Sequence, residues 1–292
     1  MKADNLYTLH QSDQKVFRHF NVNNQLFVFY KCPQIDKVVR LYTVHNQLLF
    51  SIGGKRTFHK GDQSWTITKD TSFMLKRMAF HQELHDDIEG WEVLAFYIKD
   101  DYFRKVLNEL RPHLDLKNLP AHSHEMLLEI HLNERIRNCY FSMLPYFDDE
   151  QRYPEDIIEM KFKELLYNIF IHPDNKHILA YVNAISEGYR IPIWEVMESN
   201  YMFNLKLDEF AQIANRSLSA FKREFKAHYG TTPGKWLIKK RLERSKIYLE
   251  TTDHSIKSIA FDSGFSNVSH FSRVFKKRYG SSPNTYKSLK QS

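Results

Sequence analysis

The first hundred residues place their apolar side chains in short runs of the kind that strands use. VVRLYTV (38–44), QLLFSI (47–52) and SWTITK (64–69) are aromatic or β-branched and partly alternating, as half-buried strands are. FMLKRM (73–78) and WEVLAFYI (91–98) continue the series. Gly53 and Gly54 separate two such runs and suit a tight primed hairpin turn, where positive φ is needed. Strands this short and closely spaced predict a small barrel or sandwich.

From Asp100 the period changes. DYFRKVLNEL reads as a helix that ends before Pro112, and HEMLLEIHLNERIRNCYFSML (124–144) reads as one long helix, break-free and rich in helix formers. PEDIIEMKFKELLYNIFIH (154–172) is the clearest of the three. Pro154 starts it, acids fill its first turn, and Ile158, Phe162, Leu165, Leu166 and Ile169 make one apolar stripe. That stripe exceeds what a lone surface helix needs, so it is expected to pair two copies of the chain. The stretch from Ser186 to Ile193, with Gly188 and Pro192, is the expected domain junction.

The last third holds a repeat with a spacing of 50 residues. One copy is LDEFAQIANRSLSAFKREFKAHYGTTPGKW (207–236) and the other IKSIAFDSGFSNVSHFSRVFKKRYGSSPNTY (256–286). Ser219/Ser269, Phe221/Phe271, Arg223/Arg273, Phe225/Phe275, Lys226/Lys276, Tyr229/Tyr279, Gly230/Gly280 and Pro233/Pro283 match in register. Each copy has the layout of a helix-turn-helix. A short helix carries a small residue, Ala211 or Ala260, where a second helix must cross closely. A turn follows, with Ala214 in one copy and Gly264 in the other. Ser217, and Ser266 or Asn267, can cap the next helix. In that helix Leu218, Phe221 and Phe225, or Val268, Phe271 and Phe275, are expected in the core. The opposite face shows Ser219, Lys222, Arg223 and Lys226 in one copy and Ser269, Ser272, Arg273 and Lys276 in the other. Arginine can take guanine O6 and N7 together, and serine is small enough to let a helix approach a groove floor. Solvated surface charge is the alternative for either copy alone; the same arginine position in both argues against it. Between the copies, Pro233 to Thr252 reads as one helix of about 28 Å. That length approaches the roughly 34 Å between successive major grooves on one face of B-DNA.

Charge sharpens this picture. Residues 195–292 hold 18 Lys/Arg and 9 Asp/Glu, a net of +9, whereas residues 1–194 carry a net of −2. Such asymmetry fits a module that meets a polyanion, and also a merely basic soluble domain.

Residues Glu195–Lys290 resemble the AraC/XylS family of bacterial transcription regulators. The resemblance rests most specifically on IAFDSGFSNVSHFSRVFKKRYGSSPNTY and on RLERS in the connecting helix; Ser245 stands where the family usually has alanine. It implies an α+β fold. A cupin-like β-barrel with an effector or regulatory role (1–110) would precede a helical linker and dimerisation segment (111–190). An all-α domain of two helix-turn-helix subdomains joined by a long helix (195–292) would follow. It implies a sequence-specific transcription regulator, an activator, in which Ser219, Lys222 and Arg223 read bases, Ser269, Ser272 and Arg273 form the second set, and Lys226 and Lys276 hold phosphate. Double-stranded DNA, RNA polymerase, a small-molecule effector or regulatory protein, and a second copy of the chain in a homodimer are the expected partners.

Other chemistry is weakly signalled. His122 and His124 followed by Glu129 match the first half of a metal-binding cupin signature by spacing, but lack its preceding glycine and its partner histidine, so helix-surface histidines are expected there and no metal. His81, Glu83 and His85 alternate and could share one strand face, in a pocket or exposed. The alternative function is a metal-cupin enzyme fused to a DNA-binding unit. No P-loop, dinucleotide fingerprint or nucleophile elbow occurs, so neither a cofactor nor an enzyme is expected. Cys32 and Cys139 make no disulfide framework. With no signal-peptide core and no apolar run near 20 residues, a cytoplasmic protein without membrane partners is expected.

Overall fold

The computed structural model describes residues 2–32, 38–85, 90–148 and 153–291, apart from the side chains of Lys290 and Gln291. It forms two compact units, Asn5–Arg190 and Ile191–Ser292 together with Met1–Asp4.

In the first unit a five-stranded sheet has the order β1 (Asp4–Asn5), β4 (Val38–Thr43), β9 (Met78–Leu84), β6 (Arg56–Lys60), β7 (Gln63–Ile67). A six-stranded sheet has the order β11 (Leu127–Ile130), β8 (Thr71–Leu75), β5 (Asn46–Gly53), β10 (Glu92–Ile98), β3 (Gln25–Lys31), β2 (Phe17–Val22). Short α1 (Leu6–His10) lies between β1 and β2, and α2 (Asp100–Leu110), α3 (Glu134–Met143), α4 (Glu155–Ile171) and α5 (Lys176–Ser186) complete the unit.

The sequence runs differ because the two sheets are buried differently. Val93, Ala95 and Tyr97 of β10 join Leu26, Val28, Leu49, Phe58, Phe73 and Phe80 in a core formed with the five-stranded sheet. Leu94, Phe96 and Ile98 point the other way, joining Phe27, Leu48 and Phe50 against residues of α2 to α5. A sheet covered on both faces reads as a continuous apolar run, hence QLLFSI and WEVLAFYI. Outer strands such as β7, exposed at alternate positions, keep the alternation of a half-wet sheet.

Four expectations need correction. Gly53-Gly54 does not close a hairpin: β5 and β6 lie in different sheets, and the glycines carry the chain across. Gly54 has φ +76°, and a β-carbon on it would overlap the Gly90 carbonyl, so close backbone approach is what demands glycine there. FMLKRM is likewise not one strand. It breaks at Lys76-Arg77, where the chain leaves β8 for β9 in the other sheet. Both cations are buried; Arg77 NH1 meets Asp100 Oδ2 at 2.8 Å, and Lys76 Nζ lies 4.4 Å from the Tyr181 ring centroid.

Residues 124–144 are not one helix either. Leu127–Ile130 form β11, paired with Ser72–Leu75 of β8, and helix α3 starts only after Asn133, whose side chain accepts from Ile136 N at 3.0 Å. The α4 stripe also has another role. Ile158, Phe162, Leu165, Leu166 and Ile169 are all buried in their own unit's core; Phe162 packs 4.7 Å from Phe27 and 4.9 Å from Phe96. The stripe is therefore not available to a second copy. Outward on the same helix, Ile157, Met160 and Ile171 are exposed.

The second unit is helical: α6 (Ile193–Asn200), α7 (Leu207–Ile213), α8 (Leu218–Tyr229), α9 (Pro233–Thr251), α10 (Ile256–Asp262), α11 (Val268–Tyr279) and α12 (Pro283–Gln291). Among the described residues, no helix of the protein is long and apolar enough to cross a membrane.

Candidate nucleic-acid interface

The two copies of the repeat fold to one plan. In the first, Glu209 accepts a 2.6 Å hydrogen bond from the Lys206 backbone N–H, fixing the start of α7. In the second, Ser255 Oγ accepts from Ser258 N at 3.1 Å ahead of α10. Ala211 and Ala260 are buried at matching places. The turns then close with equivalent hydrogen bonds, Arg216 N to Ala211 O at 2.9 Å and Phe265 N to Ala260 O at 3.0 Å. The left-handed turn residue of the first copy is Asn215, with φ +53°, and not Ala214; it matches Gly264, with φ +91°. Asparagine is one of the few residues with a side chain that visits this region readily. The one-residue length difference falls after the turn, because Ser217 caps α8 and Asn267, not Ser266, caps α11.

From the caps onward the helices run in step, Leu218–Tyr229 against Val268–Tyr279. Phe221, Phe225, Phe271 and Phe275 are fully buried. Phe225 stacks 4.5 Å from Tyr229, and Phe275 lies 4.6 Å from Tyr279. Leu218, expected in the core, is 36% exposed at the first position of α8, one turn ahead of Phe221, where α7 does not cover it. Its counterpart Val268 is half-buried against the second core. Gly230 and Gly280 end both helices at φ +64° and +83°, with open space around each. Gly230→Ala should therefore cost about 1–2 kcal/mol of stability through backbone strain alone, read by urea denaturation of the full chain; no loss would mean that alanine sits in the left-handed region there without strain.

On the opposite faces, Ser219, Lys222, Arg223 and Lys226 are exposed, as are Ser269, Arg273 and Lys276; Ser272 is half-buried. The serines 219 and 269 lie in the first turn of their helices, the arginines in the second and the lysines in the third. Among the described residues, the side chains of Lys222, Arg223, Lys226, Arg273 and Lys276 have no ion-pair or hydrogen-bond partner. Several cations elsewhere in the unit are engaged. Lys240 pairs with Glu198 at 2.8 Å, Arg216 with Glu224 at 3.0 Å, and Arg244 lies 4.5 Å from the Tyr248 ring. Each of the two equivalent faces thus carries positive charge without internal compensation, where it can meet an external anion.

Helix α9, 19 residues long, joins the two. Thr232 caps it, Pro233 is its first residue, and Trp236, Leu237, Leu242 and Leu249 are buried. Ser245 is buried too, its hydroxyl donating to Leu242 O at 2.9 Å, so the departure from alanine leaves no unsatisfied group.

The other candidates are placed differently. Glu83 Oε2 meets His59 Nε2 at 2.8 Å, with both side chains more than a third exposed. His85 Nε2 is 2.8 Å from Thr57 Oγ1, so this set decorates the outer face of the five-stranded sheet. His122 and His124 precede β11 in an irregular segment and not on a helix, and His122 packs 4.2 Å from the Tyr189 ring. Glu129 is exposed on β11. Among the described residues, no group of three or more His, Cys, Asp or Glu is arranged to hold a metal ion. Among the described residues, Cys32 and Cys139 form no disulfide.

Comparison with known proteins fits both units. A family described as "Helix-turn-helix domain" matches residues 210–288, and one described as "ExsA N-terminal regulatory domain" matches residues 46–181. The two matches together support an AraC/XylS family regulator. Similar family members include the HTH-type transcriptional regulator ExsA of Pseudomonas aeruginosa, 28% identical over 131 residues, covering 45% of this chain and 47% of that protein. The virulence regulon transcriptional activator VirF of Yersinia enterocolitica is 27% identical, covering 45% of this chain and 48% of its own length. The transcriptional activator NphR of a Rhodococcus species is 40% identical over 96 residues, 32% of this chain and 28% of that protein. The first two matches thus span about half the length of the relatives concerned. Among solved structures, ToxT from Vibrio cholerae aligns with a TM-score of 0.39 at 20% identity, covering 90% of this chain and 97% of that one.

Proposed function

We propose that this chain is a sequence-specific DNA-binding transcription regulator, an activator, that places α8 and α11 in successive major grooves. The observation that carries this reading is the pair of uncompensated basic faces, equivalent residue by residue, on two helices joined by one long helix. In it Ser219, Lys222 and Arg223 read base edges, Ser269, Ser272 and Arg273 do so in the second groove, and Lys226 and Lys276 grip phosphate. Relatives named as transcriptional activators support the activating role, with RNA polymerase as the partner.

The first unit is the regulatory part of this proposal: a cupin-like barrel with its helices, in a cytoplasmic homodimer. Exposed Ile157, Met160 and Ile171 on α4 supply the apolar surface for that contact. Aromatic rings pack between the sheets, with Phe58 of the five-stranded sheet 5.6 Å from Phe73 of the other. Such packing leads us to favour control by a protein partner over a small molecule held between the sheets.

The test uses a duplex selected by the protein from a random-sequence pool, with a scrambled duplex as control, each at two salt concentrations. Arg223→Ala should cost about 1–3 kcal/mol on the selected site and little on the scrambled one. Lys226→Ala should weaken both alike and lower the salt slope by about one unit. Equal losses for Arg223→Ala on both duplexes would make it a phosphate clamp, and no salt-dependent binding at all would remove the reading.

A further inference from the structure

The repeat predicts equivalent turns, yet one copy carries Asn215 and the other Gly264 at matching left-handed positions. The first copy shows that this backbone conformation accepts a side chain. What sets Gly264 apart is its surroundings. A β-carbon there would lie 2.8 Å from Arg241 Nε, 2.8 Å from Tyr201 O and 2.9 Å from Met202 O, closer than such atoms approach. The turn of the second helix-turn-helix is thus pressed against both the connecting helix and the segment that leads into the first.

Arg241 stands at the centre of this contact. From α9 its Nε donates to Tyr201 O at 2.8 Å and its NH2 to Phe203 O at 2.9 Å. These carbonyls follow the C-terminus of α6, the negative end of that helix's dipole. Among the described residues no carboxylate pairs with the guanidinium, and desolvation pulls its pKa down to about 10. A half-buried charge held by carbonyls depends on well-satisfied geometry. Two carbonyls at once suit the planar fork of arginine and not the single ammonium of lysine. Lys240 and Trp236, also on α9, contact α6 and the residue that follows it, Lys240 through Glu198 at 2.8 Å and Trp236 by a ring contact with Tyr201 at 6.4 Å.

We propose that Arg241, wedged between the 201–203 segment and Gly264, is a positioning residue that locks the two reading helices into one relative orientation and so sets the spacing of half-sites that the protein accepts. The consequence for DNA rests on the function proposed above; the lock itself does not. One inserted base pair rotates the second half-site by about 35° and moves it by about 3.4 Å. A locked pair of heads cannot follow that change, whereas a pair joined by one helix alone can.

Arg241→Lys keeps the charge and loses the fork. Gly264→Asn keeps a residue that the matching turn tolerates and crowds the lock from the other side. Spin labels at Ala227→Cys and Lys277→Cys, in the full chain with Cys32→Ser and Cys139→Ser, report the separation of α8 and α11 without DNA. The expected result is one narrow distance in the parent and a broadened or shifted distribution in both variants, with each unit's helical signal retained. An unchanged narrow distance in both overturns the lock. With the selected duplex and its one-base-pair insertion, the parent should lose about tenfold or more in affinity, and the Arg241→Lys protein markedly less. Equal discrimination by parent and variant overturns the role in spacing. If the parent selects no duplex, the DNA reading fails, and the distance measurement still decides the lock.

Discussion

Removing Arg223 and Arg273 together should abolish preference for the selected site while leaving a salt-dependent affinity for any duplex. Each arginine sits in the second turn of its helix, exposed and unpaired among the described residues. Each is expected to contribute about 1–3 kcal/mol of base discrimination. Groups on different helices with no shared partner act nearly additively, so the double variant should lose about 2–6 kcal/mol on the selected duplex, a factor of about 30 to about 20,000. Lys222, Lys226 and Lys276 remain, so binding to a scrambled duplex should change far less. Titration of both duplexes at two salt concentrations separates the contributions. A double variant that differs from Arg223→Ala only by an equal further loss on both duplexes would mean that the second helix grips backbone only.

The two exposed basic faces were legible because everything that builds them is local. A helix repeats every 3.6 residues, so Phe221 and Phe225 inside imply Lys222, Arg223 and Lys226 outside. Caps and terminal glycines lie within four residues of what they cap. The misread elements depend on distant partners. Leu127, Leu128 and Ile130 suit a buried helix or a strand equally, and only pairing with β8, more than 50 residues earlier, decides. Gly53-Gly54 looks like a hairpin until the chain is seen to change sheets. The α4 stripe was correctly apolar, but whether it faces its own sheet or a second copy is a tertiary fact. Arg241 was invisible for the same reason, since its partners are carbonyls about 40 residues back, and carbonyls carry no residue-type signature. The Gly264 difference from Asn215 was a signal in plain view, because a repeat that breaks its own pattern marks a place where the surroundings differ.

Acid should loosen the first unit well before it titrates ordinary carboxylates. His10 is 2% exposed. Its Nδ1 lies 2.8 Å from the Tyr97 hydroxyl, and its ring packs 4.9 Å from Phe17 and 4.6 Å from Tyr30. Burial pulls its pKa from 6.5 down to about 3, with a smaller push from His19. The folded state therefore holds this ring neutral while the unfolded chain protonates it below about 6.5, so the unfolded state binds the extra proton and stability falls as pH drops. The loss begins near pH 6.5 and continues towards pH 3. It amounts to about 2 kcal/mol at pH 5 and about 3 kcal/mol at pH 4. His45, whose pKa burial and the charges of Lys99 and Arg77 lower to about 4, acts in the same direction. Amide exchange of β3 and β10 in the full chain, corrected for intrinsic rates at pH 7 and pH 5, reads this unit separately from the other. His10→Gln, uncharged at every pH, should be less stable at pH 7 but show a shallower fall towards pH 5. If the variant falls as steeply as the parent, His10 is not the group that couples this core to acid.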